Sequence, residues 1–170
     1  IVVNDYFRQY TRDALDKETR KIKGKNFDFE VVKMYSSRPD NKIHYRAHRR
    51  EVMNDKLTDF IPELKQLLTD DNGEKFSIAV YVSSEYLDDK VNEERTEIAF
   101  STADAFFPDE IEKNDVSEKA VEIVRELYKD FIEEIEKARL DNIRNFVQYH
   151  PQYRYLEKYK LEGLKKISSK

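Results

Sequence analysis

The sequence predicts an α/β fold, built as an α+β sandwich with a helical tail. Three observations predict it. Apolar and polar residues alternate over 27–35 and 42–50, a nearly unbroken apolar run spans 76–82, and a helical stripe runs through 115–138. The order is helix, hairpin, helix, two strands, long helix.

Each element has its own reason. Residues 4–21 read as a helix because Tyr6, Phe7, Tyr10, Ala14 and Leu15 recur at three- and four-residue spacings, and Gly24 stops it. In 27–35, Phe27, Phe29 and Val31 alternate with Asp28 and Glu30. Pro39-Asp40-Asn41 supplies turn chemistry. Residues 42–50 form a second strand with Ile43, Tyr45 and Ala47 on one face, and the pair reads as an antiparallel hairpin. Residues 54–68 read as a helix interrupted at Pro62, with Leu57, Phe60, Ile61, Leu64, Leu67 and Leu68 on its apolar face. DDNGE (70–74) is a turn, and 76–82 is a central strand because both of its faces are apolar. Residues 96–100 read as a further strand. A loop with Pro108 leads to a helix over 115–138, opened by Asp115 with Glu118 three residues on, a capping-box spacing. Its stripe is Val121, Val124, Tyr128, Phe131 and Ile135. Residues 139–170 read as two short amphipathic helices broken at His150-Pro151 and rich in tyrosine.

Composition bounds the function. The chain has 170 residues, 39% of them charged, and a net charge of −4, which argues against gripping nucleic acid over the whole surface. There is no cysteine, so disulfides, thiolate zinc sites and thiol nucleophiles are excluded. No apolar run approaches the roughly 20 residues that cross a membrane, and no signal peptide is visible. The expectation is a cytoplasmic protein with no membrane partner. The first residue is Ile1, and the chain reads as cut from something larger.

Few residues gather into a site. His44, Arg46, His48, Arg49 and Arg50 form a basic cluster that could meet phosphate of nucleic acid or nucleotide; the competing reading is a solvated sheet face balanced by Asp and Glu. His44 and His48 are four apart, but on a strand and with no carboxylate fixed nearby by sequence, so no metal site is expected. Asp70-Asp71, Asp88-Asp89 and Glu93-Glu94 are adjacent pairs and read as solvation. Tyr149, Tyr153 and Tyr155 read as packing, with base stacking or a partner interface as the alternative. Three glycines, Gly24, Gly73 and Gly163, cannot build a Walker loop or a dinucleotide fingerprint. The fragment lacks a self-contained active site.

The span from about Phe27 to Ile135 resembles the second domain of GHKL ATPases, most specifically over FSIAVYVSSEYLDDKVNEERTEIAF, 76–100, where Tyr86-Leu87-Asp88-Asp89 occupies the acidic turn. That family includes the gyrase B subunit, the mismatch-repair protein MutL and the ninety-kilodalton heat-shock chaperones. The local pattern is most similar to MutL, where F-x-V-x-x-x-L-x-L-P precedes an acidic turn and then D-V-N-V-H-P-x-K-x-E-V-x-F. Val91 stands at the motif valine, Glu97, Ile98 and Phe100 at its closing strand, and Arg95 at its lysine. The motif's His-Pro is replaced by Asn92-Glu93.

The resemblance implies a fold like the second domain of ribosomal protein S five: a small mixed sheet, helices on one side, and a left-handed βαβ crossover against the usual right-handed rule. The expected domains are a linking helix at 1–25, a transducer domain at 26–138, which the resemblance implies, and a helical tail at 139–170 leading into a further domain. The resemblance implies that Arg95 reaches the γ-phosphate of ATP held by a missing N-terminal domain. Arg95 is then the catalytic and cofactor-contacting residue, in trans to the ATP pocket. ATP and magnesium belong to the full-length parent, an ATPase; the fragment alone holds neither and is not catalytic. The partners implied are that N-terminal domain and a second copy in a homodimer. The alternative is a stand-alone module binding nucleic acid or protein through Arg46, His48, Arg49 and Arg50.

Overall fold

The computed structural model describes residues 15–35, 39–94, 96–101 and 110–153. The described residues form a six-stranded mixed sheet and three α-helices, a mixed α/β fold of the α+β kind. The strands are β1 (Leu15–Ile22), β2 (Lys25–Tyr35), β3 (Lys42–Ala47), β4 (Arg50–Lys56), β5 (Leu68–Thr69) and β6 (Lys75–Ser83). The helices are α1 (Glu85–Lys90), α2 (Lys113–Leu127) and α3 (Lys129–Tyr149). The chain divides into two compact units between Leu127 and Tyr128.

In the first unit the strand order is β1-β2-β6-β3-β4, with the short β5 also pairing β6. β6 is central for a compositional reason. Phe76, Ser77, Ile78, Ala79, Val80 and Val82 are all buried, so it tolerates cover on both faces. It runs antiparallel to β2 and parallel to β3. The expected pairing of 27–35 with 42–50 is therefore corrected: β6 lies between them. The strand expected at 42–50 is corrected too. It folds back at His48-Arg49, and β3 pairs antiparallel with β4.

The expected helix at 4–21 is corrected where it is described. Residues 15–22 are β1, paired with β2 along its length. They carry no helical stripe, and Lys23-Gly24, both at positive φ (44° and 82°), close a two-residue hairpin. Residues 4–14 lie outside the described residues. The expected helix at 54–68 becomes the end of β4 and two 3-10 turns, Leu57–Asp59 and Pro62–Lys65. Buried Asn41 dictates this. Its side chain donates to Leu64 O (2.7 Å) and accepts from Ile78 N–H (2.6 Å), while its carbonyl accepts from Leu57 N–H (3.0 Å). One residue thus ties both turns to β6, through its side-chain amide and its backbone carbonyl. Between them Glu63 is 4% exposed, and neither carboxylate oxygen has a hydrogen-bond partner.

Alternation sorts the sheet into two faces. Phe27, Phe29 and Val31, Ile78, Val80 and Val82, and Ile43, Tyr45 and Ala47 are buried on one face. Helix α1 reaches that face through Tyr86 against Phe27, ring centres 6.0 Å apart. Helix α2 reaches it through Ser117 Oγ, 2.9 Å from Tyr45 Oη. Val116, Ala120, Ile123 and Val124 are the buried stripe of α2. Asp115 does mark its start, but from inside: its carboxylate reaches back to Glu112 N–H (2.8 Å), the acidic half of a capping box. The helix expected through 138 breaks at Tyr128, whose φ and ψ are −114° and 24°, with no proline or glycine to announce it.

The second unit contains α3, which ends at His150 before Pro151 as expected. Tyr128, Ile132 and Val147 are buried; Leu140, Phe146, Tyr149 and Tyr153 are exposed. Residues 154–170, with Tyr155 and the expected second tail helix, lie outside the described residues. Among the described residues, no helix is long and apolar enough to cross a membrane.

Candidate functional site

The acidic stretch expected as a turn is helix α1. Ser84 caps it, its hydroxyl accepting from Leu87 N–H (3.1 Å), and Leu87 is fully buried. The chain leaves α1 at Val91 and forms a closed loop. Val91 bridges Ile98 antiparallel, and Ala99 N–H donates to Lys90 O (2.9 Å). The strand expected at 96–100 is limited to this bridge and a parallel bridge from Ser101 to Glu112.

Asn92 organises the loop. Its Oδ1 accepts from the N–H groups of Thr96 (2.8 Å) and Glu97 (3.1 Å), and its Nδ2 donates to Thr96 Oγ1 (3.0 Å). Its own N–H donates to Glu97 O (3.0 Å). One side chain thus satisfies backbone groups that a short loop would otherwise leave to water. Glu93, Glu94, Thr96 and Glu97 are exposed. Arg95, the expected phosphate contact, lies outside the described residues.

The second sheet face is polar. Across it run Lys17 on β1, Glu30 on β2, Tyr81 on β6 and His44 on β3, matched in register. Glu30 takes Lys17 Nζ at 2.6 Å and Arg46 at 3.3 Å. The Arg46 guanidinium lies 3.7 Å from the centre of the Tyr81 ring, and the His44 ring stacks on Tyr81 at 4.7 Å. His44 Nδ1 sits 2.9 Å from Glu51. Burial pushes Glu51 up, but hydrogen bonds from His44 and Asn54 hold it below its ordinary value. Burial raises the Tyr81 hydroxyl, partly opposed by Arg46. Arg46 is therefore engaged twice, and His44 and Arg46 both lie against the Tyr81 ring. This is the balanced, solvated face that the charge pattern allowed, with little of Tyr81 left to stack on a base.

His48, Arg49 and Arg50 stand apart from that face. His48 and Arg49 are the two turn residues between β3 and β4, at φ 49° and 64°. His48 N–H donates to Asp88 Oδ1 on α1 (2.6 Å), which joins the tip to the helix that leads into the Asn92 loop. Among the described residues, no group of three or more His, Asp or Glu side chains could hold a metal. His150 lies against Phe146 (4.5 Å) and Tyr153, not near the other histidines' strand in sequence or element.

A deeper constellation escaped the sequence reading. Tyr45 Oη contacts Asp55 Oδ2 and Ser117 Oγ, both at 2.9 Å, and Lys113 Nζ meets Asp55 Oδ1 at 2.5 Å. Burial first, and then the Asp55 carboxylate, push the Tyr45 hydroxyl well above its ordinary value. It stays protonated and structural. Tyrosine on an otherwise apolar strand face, at position 45, is the one sequence signal for it.

No family model matches the chain, and no curated protein and no solved structure matches it.

Proposed function

We propose that this chain is the transducer domain of a larger GHKL-type ATPase, MutL-like in its local pattern, with Arg95 as the γ-phosphate sensor. The observation that carries the reading is the Asn92 clamp. The motif's His-Pro stiffens a turn; here Asn92-Glu93 replaces it, and the three side-chain hydrogen bonds of Asn92 to Thr96 and Glu97 brace the loop that carries position 95. A braced loop presents a long cationic side chain with less ordering left to lose on contact. One further feature supports it: α1 and α2 touch the same sheet face.

ATP and magnesium are held by the N-terminal domain of the parent, not by this one. Arg95 contributes a guanidinium to the terminal phosphate, where charge develops during transfer. Arginine serves there at least as well as lysine, since its fork donates to two oxygens. The clamp then ties nucleotide state to α1 and the sheet.

The test is ATP turnover by the protein carrying this chain with its nucleotide domain, under saturating ATP and magnesium. Arg95→Ala is expected to slow turnover at least tenfold, about 1.4 kcal/mol of barrier. Asn92→Ala, which keeps the arginine and frees the loop, is expected to slow it by less. Native turnover matched by Arg95→Ala, or no native turnover, sinks the reading.

A further inference from the structure

We infer that the β3–β4 turn is a contact site for the phosphate backbone of duplex nucleic acid. The inference stands on the turn itself and does not need the ATPase reading. Two-residue hairpins of this kind place both turn residues at positive φ, which is why Asn-Gly dominates them. The β1–β2 turn of the same sheet obeys that chemistry in half, with Gly24 at its second position. The β3–β4 turn does not: His48 and Arg49 occupy both left-handed positions, and Arg50 follows. The chain carries backbone strain in order to place cationic side chains at a projecting tip.

Those side chains are not spent on the fold. His48, Arg49 and Arg50 are all exposed. Among the described residues, neither arginine's side chain has an ion pair or hydrogen bond, whereas Arg20, Arg46 and Arg144 each have a carboxylate. Two carboxylates stand near. Asp88 gives one oxygen to His48 N–H and lies 4.0 Å from His48 Nδ1, and Glu51 takes His44. Asp88 thereby fixes the tip against α1 and leaves the guanidiniums free.

The chemistry points to phosphate rather than bases. Residues 47–51 include no tyrosine, phenylalanine or tryptophan, and their one ring, His48, lies 4.0 Å from Asp88, so cationic groups rather than a stacking platform dominate the tip. Guanidiniums on a rigid turn suit the regularly spaced oxygens of a duplex, bound without regard to sequence. A net charge of −4 confines the contact to this tip and makes it weak and salt-dependent.

The experiment measures binding of the full protein to a fluorescein-labelled mixed-sequence duplex DNA by anisotropy, across a salt series. Three variants are compared with native protein: His48→Asn/Arg49→Gly, Arg50→Ala, and Arg139→Ala as a control. The first keeps the turn and is expected to melt higher than native, so a loss of binding cannot come from unfolding. Each tip variant is expected to lower the slope of log affinity against log salt by about 0.9, with the control unchanged. No binding by native protein, unaltered slopes in the tip variants, or an equal loss in Arg139→Ala overturns the inference.

Discussion

Glu63 shows how one residue can be held by its neighbours against its own chemistry. It sits in the Pro62–Lys65 turn, almost wholly buried, with both oxygens lacking hydrogen-bond partners. A buried polar group without partners costs about 1–3 kcal/mol, and more when charged. What holds it there is its position between Ile61 and Leu64, both fully buried, and the Asn41 side chain on Leu64 O. Glu63→Met, unbranched and close in volume, removes the stranded oxygens and keeps the contacts. It is expected to raise unfolding free energy by about 1–2 kcal/mol. A lower urea midpoint in the variant would show that Glu63 has a partner after all.

At the scale of elements, the junction of α2 with the β3–β4 hairpin is held by polar groups as well as by apolar packing. Tyr45, Asp55, Lys113 and Ser117 come from β3, β4 and the two ends of one turn of α2, and each contributes to a single hydrogen-bonded chain. Tyr45→Phe keeps the ring and its edge contact with Phe100 but strips Asp55 and Ser117 of their shared partner. The expected loss is about 1–3 kcal/mol in equilibrium denaturation, and an unchanged midpoint would mean water replaces the hydroxyl freely. The same junction marks what a sequence can and cannot disclose. Helix α2 and the apolar β6 were legible because burial writes itself into local periodicity, although of the expected stripe only Val124 falls among the buried positions of α2 and Val121 is half-buried. Residues 54–68 misled because Leu57, Ile61, Leu64 and Leu68 have helical spacing, yet successive 3-10 turns on a core use the same spacing. Their shape is set by Asn41, distant in sequence. β1 was missed because a charged edge strand has no apolar alternation of its own and takes its form from β2. For the site, the motif singled out position 95, and the basic cluster singled out 46–50. That Arg46 is engaged while Arg49 and Arg50 stand exposed at the tip depends on which face and turn each occupies, and that was settled only by the β3–β4 reversal. The Asn92 clamp was visible only as an asparagine four residues before a threonine.

Across the whole molecule, carboxylates set the response to acid. Burial pushes Asp115 up, but the Lys23 ammonium and the Glu112 N–H outweigh it and hold the group below 3.8. Asp70 is held down likewise, burial being outweighed by the Glu74 N–H, the Tyr35 hydroxyl and the Asn72 N–H. The Lys119 ammonium lowers Glu122, and His44 with Asn54 lowers Glu51. Each depressed group binds fewer protons folded than unfolded. Its contribution is therefore complete at neutral pH and is lost as pH falls through the lowered native value. Denaturant midpoints are expected to drop between about pH 5 and pH 3. Asp115→Asn, which removes one such group from the Lys23 junction, is expected to start lower and fall less steeply. An identical acid slope would mean that Asp115 is equally perturbed in the unfolded chain.

The central position of β6 also has a consequence in time. Two hairpins, β1–β2 and β3–β4, close early by short turns, but their strands do not pair with each other: each is joined to the sheet through a strand made of residues 75–83. On a ribosome both hairpins emerge first. Their apolar rows, Phe27-Phe29-Val31 and Ile43-Tyr45-Ala47, wait without a neighbour until Ser83 clears the exit tunnel. A nascent chain paused before Lys75 presents two sticky ribbons to any chaperone at the tunnel mouth, and the sheet then assembles in a single step when its middle arrives last.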